Sequence, residues 1–148
     1  MSERINEWRQ GEYIVSTDKS RLNFKLIHDF LKRSYWAEGV SGENVRLRIE
    51  NSLVFGLYDG QKQAGFARVV SDYAAFAYLA DVFVLEAYRG RGLSKWLIGV
   101  VLSYSGLKDL KWSLATKDAQ ELYRRYGFTE LTHPEENMEK RPMEENNG

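Results

Sequence analysis

The sequence predicts an α/β fold of the α+β kind, in which one mixed, mostly antiparallel sheet is flanked by helices. Three runs rich in β-branched and aromatic residues follow one another in mid-chain, as the strands of an antiparallel meander do. A strand–helix–strand–helix pattern comes next, and helices must cover a parallel strand pair. The 148 residues, 43% of them hydrophobic, suffice for the core of one domain.

The first third of the chain is predicted to hold one short strand and two helices. Residues 1–11 are charged and show no periodicity, so we expect them to be loose, whereas Tyr13–Ser16 has the apolar centre of a short strand. Apolar residues at helical spacing predict a helix over Asn23–Ser34, with the asparagine as its N-cap. Ser41 is the expected N-cap of a second, arginine-rich helix.

The middle of the chain is predicted to form the antiparallel part of the sheet. The strand-like runs are Leu53–Tyr58, Gln63–Ser71 and Phe76–Leu85. Asp59 and Gly60 separate the first two runs and predict a tight hairpin turn. Consecutive strands joined by short turns usually pair with one another, which gives the meander.

The C-terminal half is predicted to alternate between helix and strand. The strongest helix signal covers Leu93–Tyr104, because apolar residues recur there every third or fourth position, and Gly106 is expected to stop the helix. Lys111–Ala115 predicts a strand. Asp118, with a glutamate three residues later, predicts the start of another helix, which Gly127 would end.

The end of the chain is predicted to complete the sheet. Phe128–Leu131 and Met138–Arg141 are the expected last strands, whereas residues 144–148 have the polar composition of a frayed tail. No repeat or linker interrupts the order of elements. The simplest organisation is therefore a single domain over residues 1–148.

The composition narrows the range of partners and chemistries. Lysine plus arginine equal aspartate plus glutamate at 21 each, so no net field favours nucleic acid or an anionic membrane. The absence of cysteine excludes disulfides, thiolate metal sites and a cysteine nucleophile. The N-terminal residues are polar, and no apolar run approaches the length of a membrane span. We therefore expect a cytoplasmic protein.

Several polar residues have a simple structural interpretation. His28 lies between core positions of the first helix, and His133 precedes a proline in a late loop. We expect neither histidine to lie among carboxylates or beside another histidine, so we predict no metal site. The arginines that we interpret as solvated helix faces are Arg46, Arg48, Arg124 and Arg125.

A glycine- and arginine-rich segment, Tyr88–Lys95, joins a strand directly to the strongest helix. The small residues Gly90, Gly92 and Ser94 allow several backbone N–H groups to converge on an anion, and the helix N-terminus adds about half a positive charge. Mobile positive charge is expected from Arg89, Arg91 and Lys95. The alternative is a tight turn with solvated arginines. The segment lacks the pattern of a mononucleotide P-loop or a Rossmann fingerprint, which indicates a different phosphate-bearing ligand.

The motif within this segment resembles that of the GNAT acetyltransferases: Arg or Gln, two residues, Gly, one residue, then Gly or Ala. Arg89–Ser94 matches it except for the final serine. Val82–Val84 before it and Leu122–Phe128 after it follow the family's order of elements, so the resemblance spans roughly Leu53 to Leu131. It implies a GNAT-like domain whose sheet is splayed after the central strand.

The resemblance also implies acetyl-CoA as co-substrate. Backbone groups of Val82, Phe83 and Val84 would hold the pantetheine and polarise the thioester. The implied pyrophosphate contacts are Arg89, Gly90, Arg91, Gly92, Leu93, Ser94 and Lys95. Thr116 stands where many members have an asparagine that contacts CoA; its hydroxyl could substitute, or it could simply precede a helix cap.

Two residues are candidates for catalysis. Tyr123 aligns with the tyrosine that in this family protonates the departing thiolate, although by spacing alone it is a core aromatic residue. Asp81 interrupts an apolar strand and is our first candidate to bind or deprotonate the amine. Its segment resembles that of polyamine acetyltransferases, but Ala80 replaces their acidic residue. Alternatively, Asp81 is structural and pairs with an arginine such as Arg68.

The segment between the first two helices is the implied acceptor site. Tyr35 and Trp36 could form an apolar or cation-binding wall, with Glu38 as a weaker candidate base, yet packing explains the aromatic residues equally well. In this family the corresponding region shapes the binding site for the amine. The sequence does not identify this amine.

The function that we predict is N-acetyl transfer from acetyl-CoA to a primary amine, by direct attack in a ternary complex. The acceptor is a small-molecule amine or a peptide amine, and since family members are often dimers, a homodimer is compatible with the sequence. The alternative is a catalytically silent acyl-CoA-binding sensor or interaction module. An RNA-binding role is disfavoured because Trp96 falls on the apolar face of its helix and the net charge is zero.

Overall fold

The computed structural model describes residues 4–143 and contains a six-stranded sheet. In spatial order, its strands are β1 (Glu7–Gln10), β2 (Tyr13–Ser16), β3 (Leu53–Asp59), β4 (Lys62–Ser71), β5 (Phe76–Val84) and β6 (Lys111–Ser113). All neighbouring strands are antiparallel except β5 and β6, which are parallel. The predicted mixed, mostly antiparallel sheet is confirmed.

Four α-helices lie in the described residues: α1 (Phe24–Lys32), α2 (Gly42–Glu50), α3 (Leu93–Leu102) and α4 (Gln120–Arg124). The two predicted N-caps are confirmed, because Asn23 accepts a hydrogen bond from the Leu26 N–H (3.0 Å) and Ser41 from the Asn44 N–H (3.1 Å). None of the helices within residues 4–143 is long and apolar enough to cross a membrane.

Contacts divide the chain into two compact units, with the boundary between Ala115 and Thr116. The first unit contains the whole sheet and α1 to α3, and the second contains α4.

The core of the first unit covers both faces of the sheet. On one face, α1 and α2 bury Ile27, Leu31 and Val45 against Val54, Phe66 and Phe83. On the other face, Phe55 makes an edge-to-face contact with Tyr104, two residues beyond the end of α3, at 5.7 Å between ring centroids. Since successive residues of β3 point to opposite faces, α3 leads into the layer opposite α1 and α2. Burial of these apolar side chains is the main term that stabilises the unit.

The expectation that residues 1–11 are loose is wrong for β1. Glu7–Gln10 pairs with β2 over four residues, and the Trp8 ring lies 5.9 Å from the ring of Phe55. One half-buried aromatic residue on an otherwise exposed strand gives no periodicity, which is why the sequence pattern missed it. Residues 144–148, the predicted tail, lie outside the described residues.

The predicted strands Phe128–Leu131 and Met138–Arg141 are absent from the second unit as described, residues 116–143. The Phe128 N–H instead donates to the Tyr123 carbonyl (3.2 Å) at the end of α4, so it cannot also pair with a neighbouring strand. The start of α4 also differs, since Ala119 and not Asp118 is its N-cap. The Ala119 N–H donates to the Thr116 hydroxyl (3.1 Å), so the threonine makes the local turn that we expected of Asp118.

Candidate active site

Strand β5 has a neighbour on both sides only over its first three residues. β6 pairs only with Phe76–Tyr78, whereas β4 pairs with β5 as far as Val84. On the β6 side, the end of β5 that includes Val82–Val84 therefore has no partner strand within residues 4–115. Apart from the Val84 carbonyl, which accepts a hydrogen bond from Arg89, its backbone N–H and C=O groups on that side can bind a ligand.

A β-bulge lies within the part of β5 that β6 does not cover. Phe66 is opposite Phe83 and Arg68 is opposite Ala80, so Ala67 faces two residues, Asp81 and Val82. Asp81 has a φ of +54°, the left-handed region that residues other than glycine rarely adopt. The bulge directs the carboxylate of Asp81 inward, where the residue is only 6% exposed.

Three donors hold the buried carboxylate of Asp81. Arg68 Nε lies at 2.6 Å, Trp36 Nε1 at 2.8 Å and Arg48 Nη1 at 3.1 Å from its oxygens. Burial alone would raise the pKa of Asp81, but the hydrogen bond and charge of Arg68, together with Trp36 and Arg48, outweigh it and lower the pKa. The structure thus shows the ion pair with Arg68 that the sequence suggested as the alternative. A carboxylate held in this way is a weak base.

Asp81→Asn is expected to destabilise the protein by about 2 kcal/mol at neutral pH, because the amide makes weaker hydrogen bonds to the arginines. The pKa of Asp81 is lowered in the folded state, so its carboxylate stabilises the fold fully above the unfolded-state pKa of about 3.9. This contribution is lost as the pH falls through the folded-state pKa. Urea unfolding from neutral to acidic pH should show that the difference in unfolding free energy between Asp81→Asn and wild type becomes smaller in acid. A constant difference, or an equal effect of the exposed Asp109→Asn, would contradict this.

Arg48 is not the solvated residue that we expected. Its side chain is 26% exposed and reaches Asp81 from α2, while its Nε donates to Asn44 at 2.7 Å. Arg48 lies three residues after the buried Val45, at the edge of the apolar face of α2. This spacing is the sequence signal that could have indicated its partial burial. Arg46, on the same helix, stacks at 5.0 Å over the ring of Phe24 instead.

The predicted acceptor residues differ in their surroundings. Trp36 is 41% exposed although its indole N–H binds Asp81, and Tyr35 meets it edge to face at 5.2 Å between ring centroids. The structure therefore joins the aromatic pair to Asp81. Glu38 is exposed and makes no ion pair within residues 4–143. His28 makes a hydrogen bond at 2.9 Å to the Val40 carbonyl, as a polar residue within the helix layer does.

The glycine-rich segment forms the turn that opens α3. Gly90 and Gly92 have φ values of +80° and +76°, and a Cβ atom at either residue would meet nothing within 4 Å. Gly92 is the N-cap of α3 and provides no side-chain cap. The first-turn N–H groups of α3 have no acceptor within the helix, so they are available to an anionic ligand.

The arginines of this turn are tethered, which corrects the expectation of mobile charge. Arg91 Nη1 donates to the Tyr13 hydroxyl at 2.7 Å, and Arg89 Nε donates to the Val84 carbonyl at 3.1 Å. The Tyr88 hydroxyl donates to Asp59 at 3.2 Å. These bonds fix the turn against β2, β3 and the end of β5. Ser94 is half-buried and Lys95 exposed on the first turn of α3.

The second unit contains Thr116 and Tyr123. Tyr123 is 8% exposed and its ring meets that of Phe128 edge to face at 5.7 Å, while Thr116 makes the turn before α4. Arg124 binds Glu130 through two nitrogens, at 3.0 and 2.7 Å, and its ionic contact lowers the pKa of Glu130 to about 2.

The surroundings of His133 differ from those expected from the sequence. It lies among carboxylates, since Glu135 and Glu136 present ligand atoms within 4.8 Å of each other and of the imidazole. All three residues are exposed, and such acidic groups are common on protein surfaces without a bound ion.

Comparisons with known proteins agree with this geometry. Residues 50–130 match the family model described as the acetyltransferase (GNAT) domain. A crystal structure from Xanthomonas campestris pv. campestris, assigned to the GNAT family of acetyltransferases, is 47% identical, with a TM-score of 0.86 over 88% of this chain and 93% of that chain. A Gibberella zeae protein assigned as an acetyltransferase is 26% identical, and the match covers 64% of this chain and 64% of that protein.

A more distant structure shows the fold with a ligand. An acetyltransferase structure from Clostridium acetobutylicum with acetyl-CoA is 14% identical, with a TM-score of 0.63 over 93% of this chain and 96% of that chain. At this identity, the likeness concerns the fold alone.

Proposed function

Since the chain belongs to the GNAT family of acetyltransferases, we propose that it transfers the acetyl group of acetyl-CoA to a primary amine by direct attack in a ternary complex. The observation that carries the proposal is the turn at Gly90 and Gly92, which leaves the first-turn N–H groups of α3 open beside the free end of β5. Both features lie in the first unit, and the Arg89 hydrogen bond to Val84 connects them.

The residues of the turn fit the diphosphate of CoA. No Cβ fills the space at Gly90 or Gly92, and a helix N-terminus favours negative charge. The segment from Arg89 to Lys95 would hold this group, with Thr116 as a further contact, while the backbone of Val82–Val84 would bind the pantetheine. When bound, acetyl-CoA supplies the acetyl group as a reactive thioester.

Each part of the site has a task in the transfer. The nitrogen lone pair of the amine forms the new C–N bond, and the C–S bond breaks with its electron pair moving to sulfur. Backbone N–H groups of Val82–Val84 stabilise the charge that develops on the carbonyl oxygen. Tyr123 gives a proton to the sulfur, and the amine loses its proton to water. Asp81 shapes the acceptor site through its bonds to Trp36 and Arg48 and does not act as the base.

Tyr123→Phe is expected to leave the acetyl-CoA affinity unchanged and to lower kcat about tenfold. This loss is smaller than general acid catalysis often contributes, since a thiol of pKa about 8.5 is a good leaving group. Calorimetry gives the affinity, and release of free CoA thiol gives kcat. Tyr126→Phe, which removes a hydroxyl three residues further on, should match wild type. An equal loss in both variants would contradict the role of Tyr123.

The proposal is tested by titrating the protein with acetyl-CoA and then screening primary amines for thiol release. Saturable binding with turnover supports the transferase. Binding without turnover on any amine would favour the silent acyl-CoA-binding module. Absence of binding at millimolar acetyl-CoA would overturn the proposal. We also propose a cytoplasmic location and a homodimeric assembly.

A further inference from the structure

We propose that the acceptor amine also carries a carboxylate and that Arg48 binds this carboxylate beside Trp36. The inference rests on the proposed function and deepens it, because it assigns a substrate class to the acceptor site. It follows from the charge balance, the exposure and the fixed geometry of the groups around Asp81.

The cluster at the bulge has one positive charge in excess. Two guanidinium groups, Arg48 and Arg68, contact the single carboxylate of Asp81, and the third donor, Trp36, is neutral. The carboxylate side chain is 2% exposed, so solvent and ligands cannot reach it. A cationic acceptor such as a polyamine would meet this excess positive charge, and Ala80 provides no acidic group to attract it.

The excess charge is presented by a fixed side chain. Arg48 Nε is held by Asn44 and its Nη1 by Asp81, whereas its Nη2 has no hydrogen-bond partner within residues 4–143. The Arg68 side chain is less exposed, at 14%, and its Nη1 donates a hydrogen bond to the Ser52 hydroxyl. Arg48 is thus the more accessible cation. A guanidinium that is already oriented loses little entropy when it binds a carboxylate.

Aromatic side chains lie on the same face of the sheet as this charge. Arg68 is opposite Ala80, and Val70 is opposite Tyr78, so these four side chains share a face. Tyr78 is 39% exposed there, with Phe76 next to it along the strand, and Trp36 reaches the cluster from the α1–α2 segment. The face therefore offers apolar contacts beside one cation, which fits an amine with an apolar body and a carboxylate.

The test compares three probes that share one aromatic amine body: phenylalanine, phenylalaninamide and phenethylamine. Each is assayed by CoA thiol release, and its binding is measured by calorimetry in the presence of CoA, with wild type, Arg48→Gln and Arg46→Gln. The last variant is a matched control, since Arg46 lies on α2 but stacks on Phe24 away from Asp81. Comparing the ratios of probes between variants cancels differences in amine basicity.

Wild type and Arg46→Gln should prefer phenylalanine over phenethylamine by about tenfold in kcat/KM and in Kd, because a charge-assisted hydrogen bond is lost with the carboxylate. Arg48→Gln should abolish this preference through KM, with little change in kcat. Equal or better use of phenethylamine by wild type, or equal behaviour of the two variants, would overturn the inference. Failure of the proposed function would appear separately, as absent acetyl-CoA binding, while calorimetry of the three probes would still decide the carboxylate preference.

Discussion

Gly92→Glu is expected to weaken acetyl-CoA binding by at least about 100-fold, or about 3 kcal/mol, while the protein remains folded. Calorimetric titration of the purified variant measures the loss, and thermal unfolding monitors the fold. The effect is large because the substitution adds a side chain and a negative charge at the N-cap of α3, where the diphosphate is proposed to bind.

Two contributions to this effect can be separated physically. The carboxylate competes for the first-turn N–H groups of α3, which have no acceptor within the helix, and it repels the diphosphate at the same place. The backbone strain of a glutamate at a φ of +76° costs about 1 kcal/mol and acts on stability, not on binding. Affinity should therefore fall much further than stability.

Gly60→Glu is the matched control for this prediction. Gly60 has a φ of +63° and open space at its Cβ position, so the same substitution brings the same charge and similar strain to the turn between β3 and β4. Its acetyl-CoA affinity should stay close to that of wild type. If both variants lose affinity alike, or if Gly92→Glu binds normally, the diphosphate does not lie at the start of α3.

The elements with strong local signals were predictable from the sequence. Asn23 and Ser41 cap their helices as expected, because capping depends on residues only three positions apart. β2 has the predicted bounds, and β3 to β5 each differ from theirs by one residue, because short apolar runs bounded by turn residues indicate buried strands directly. The turn at Gly90 and Gly92 followed from the position of glycine between a strand and a helix.

The features that tertiary contacts decide were not predictable in this way. The left-handed φ of Asp81 results from the register between β4 and β5, which no local pattern of β5 contains. Arg48 was misassigned because an arginine on a short polar helix usually faces water, and only the buried carboxylate opposite it attracts it inward. The strand predicted at Phe128–Leu131 does not form, because the Phe128 N–H is hydrogen-bonded to the end of α4 and is not available to a neighbouring strand.

Arg68→Met is expected to lower the free energy of unfolding by about 3–5 kcal/mol, because it leaves the buried carboxylate of Asp81 without its shortest ion pair. Methionine retains most of the apolar stem of arginine. The loss of unfolding free energy therefore measures the removal of the charge and not the creation of a cavity. Arg124→Met is the control: it removes an exposed ion pair with Glu130, and such pairs contribute at most about 1 kcal/mol. Denaturant unfolding at neutral pH measures both variants.

The double variant Arg68→Met with Asp81→Asn shows whether the loss comes from an unbalanced charge. Removing the carboxylate as well should recover part of the stability, with a coupling energy of about 1–3 kcal/mol between the two sites. If Arg68→Met costs no more than Arg124→Met, then Arg48 and Trp36 suffice to balance Asp81. That outcome would assign the charge of Asp81 chiefly to Arg48 and would weaken the case for a second carboxylate there, so the same measurement bears on the acceptor that we infer. A large loss with recovery in the double variant instead assigns Asp81 chiefly to Arg68 and leaves Arg48 available to the substrate.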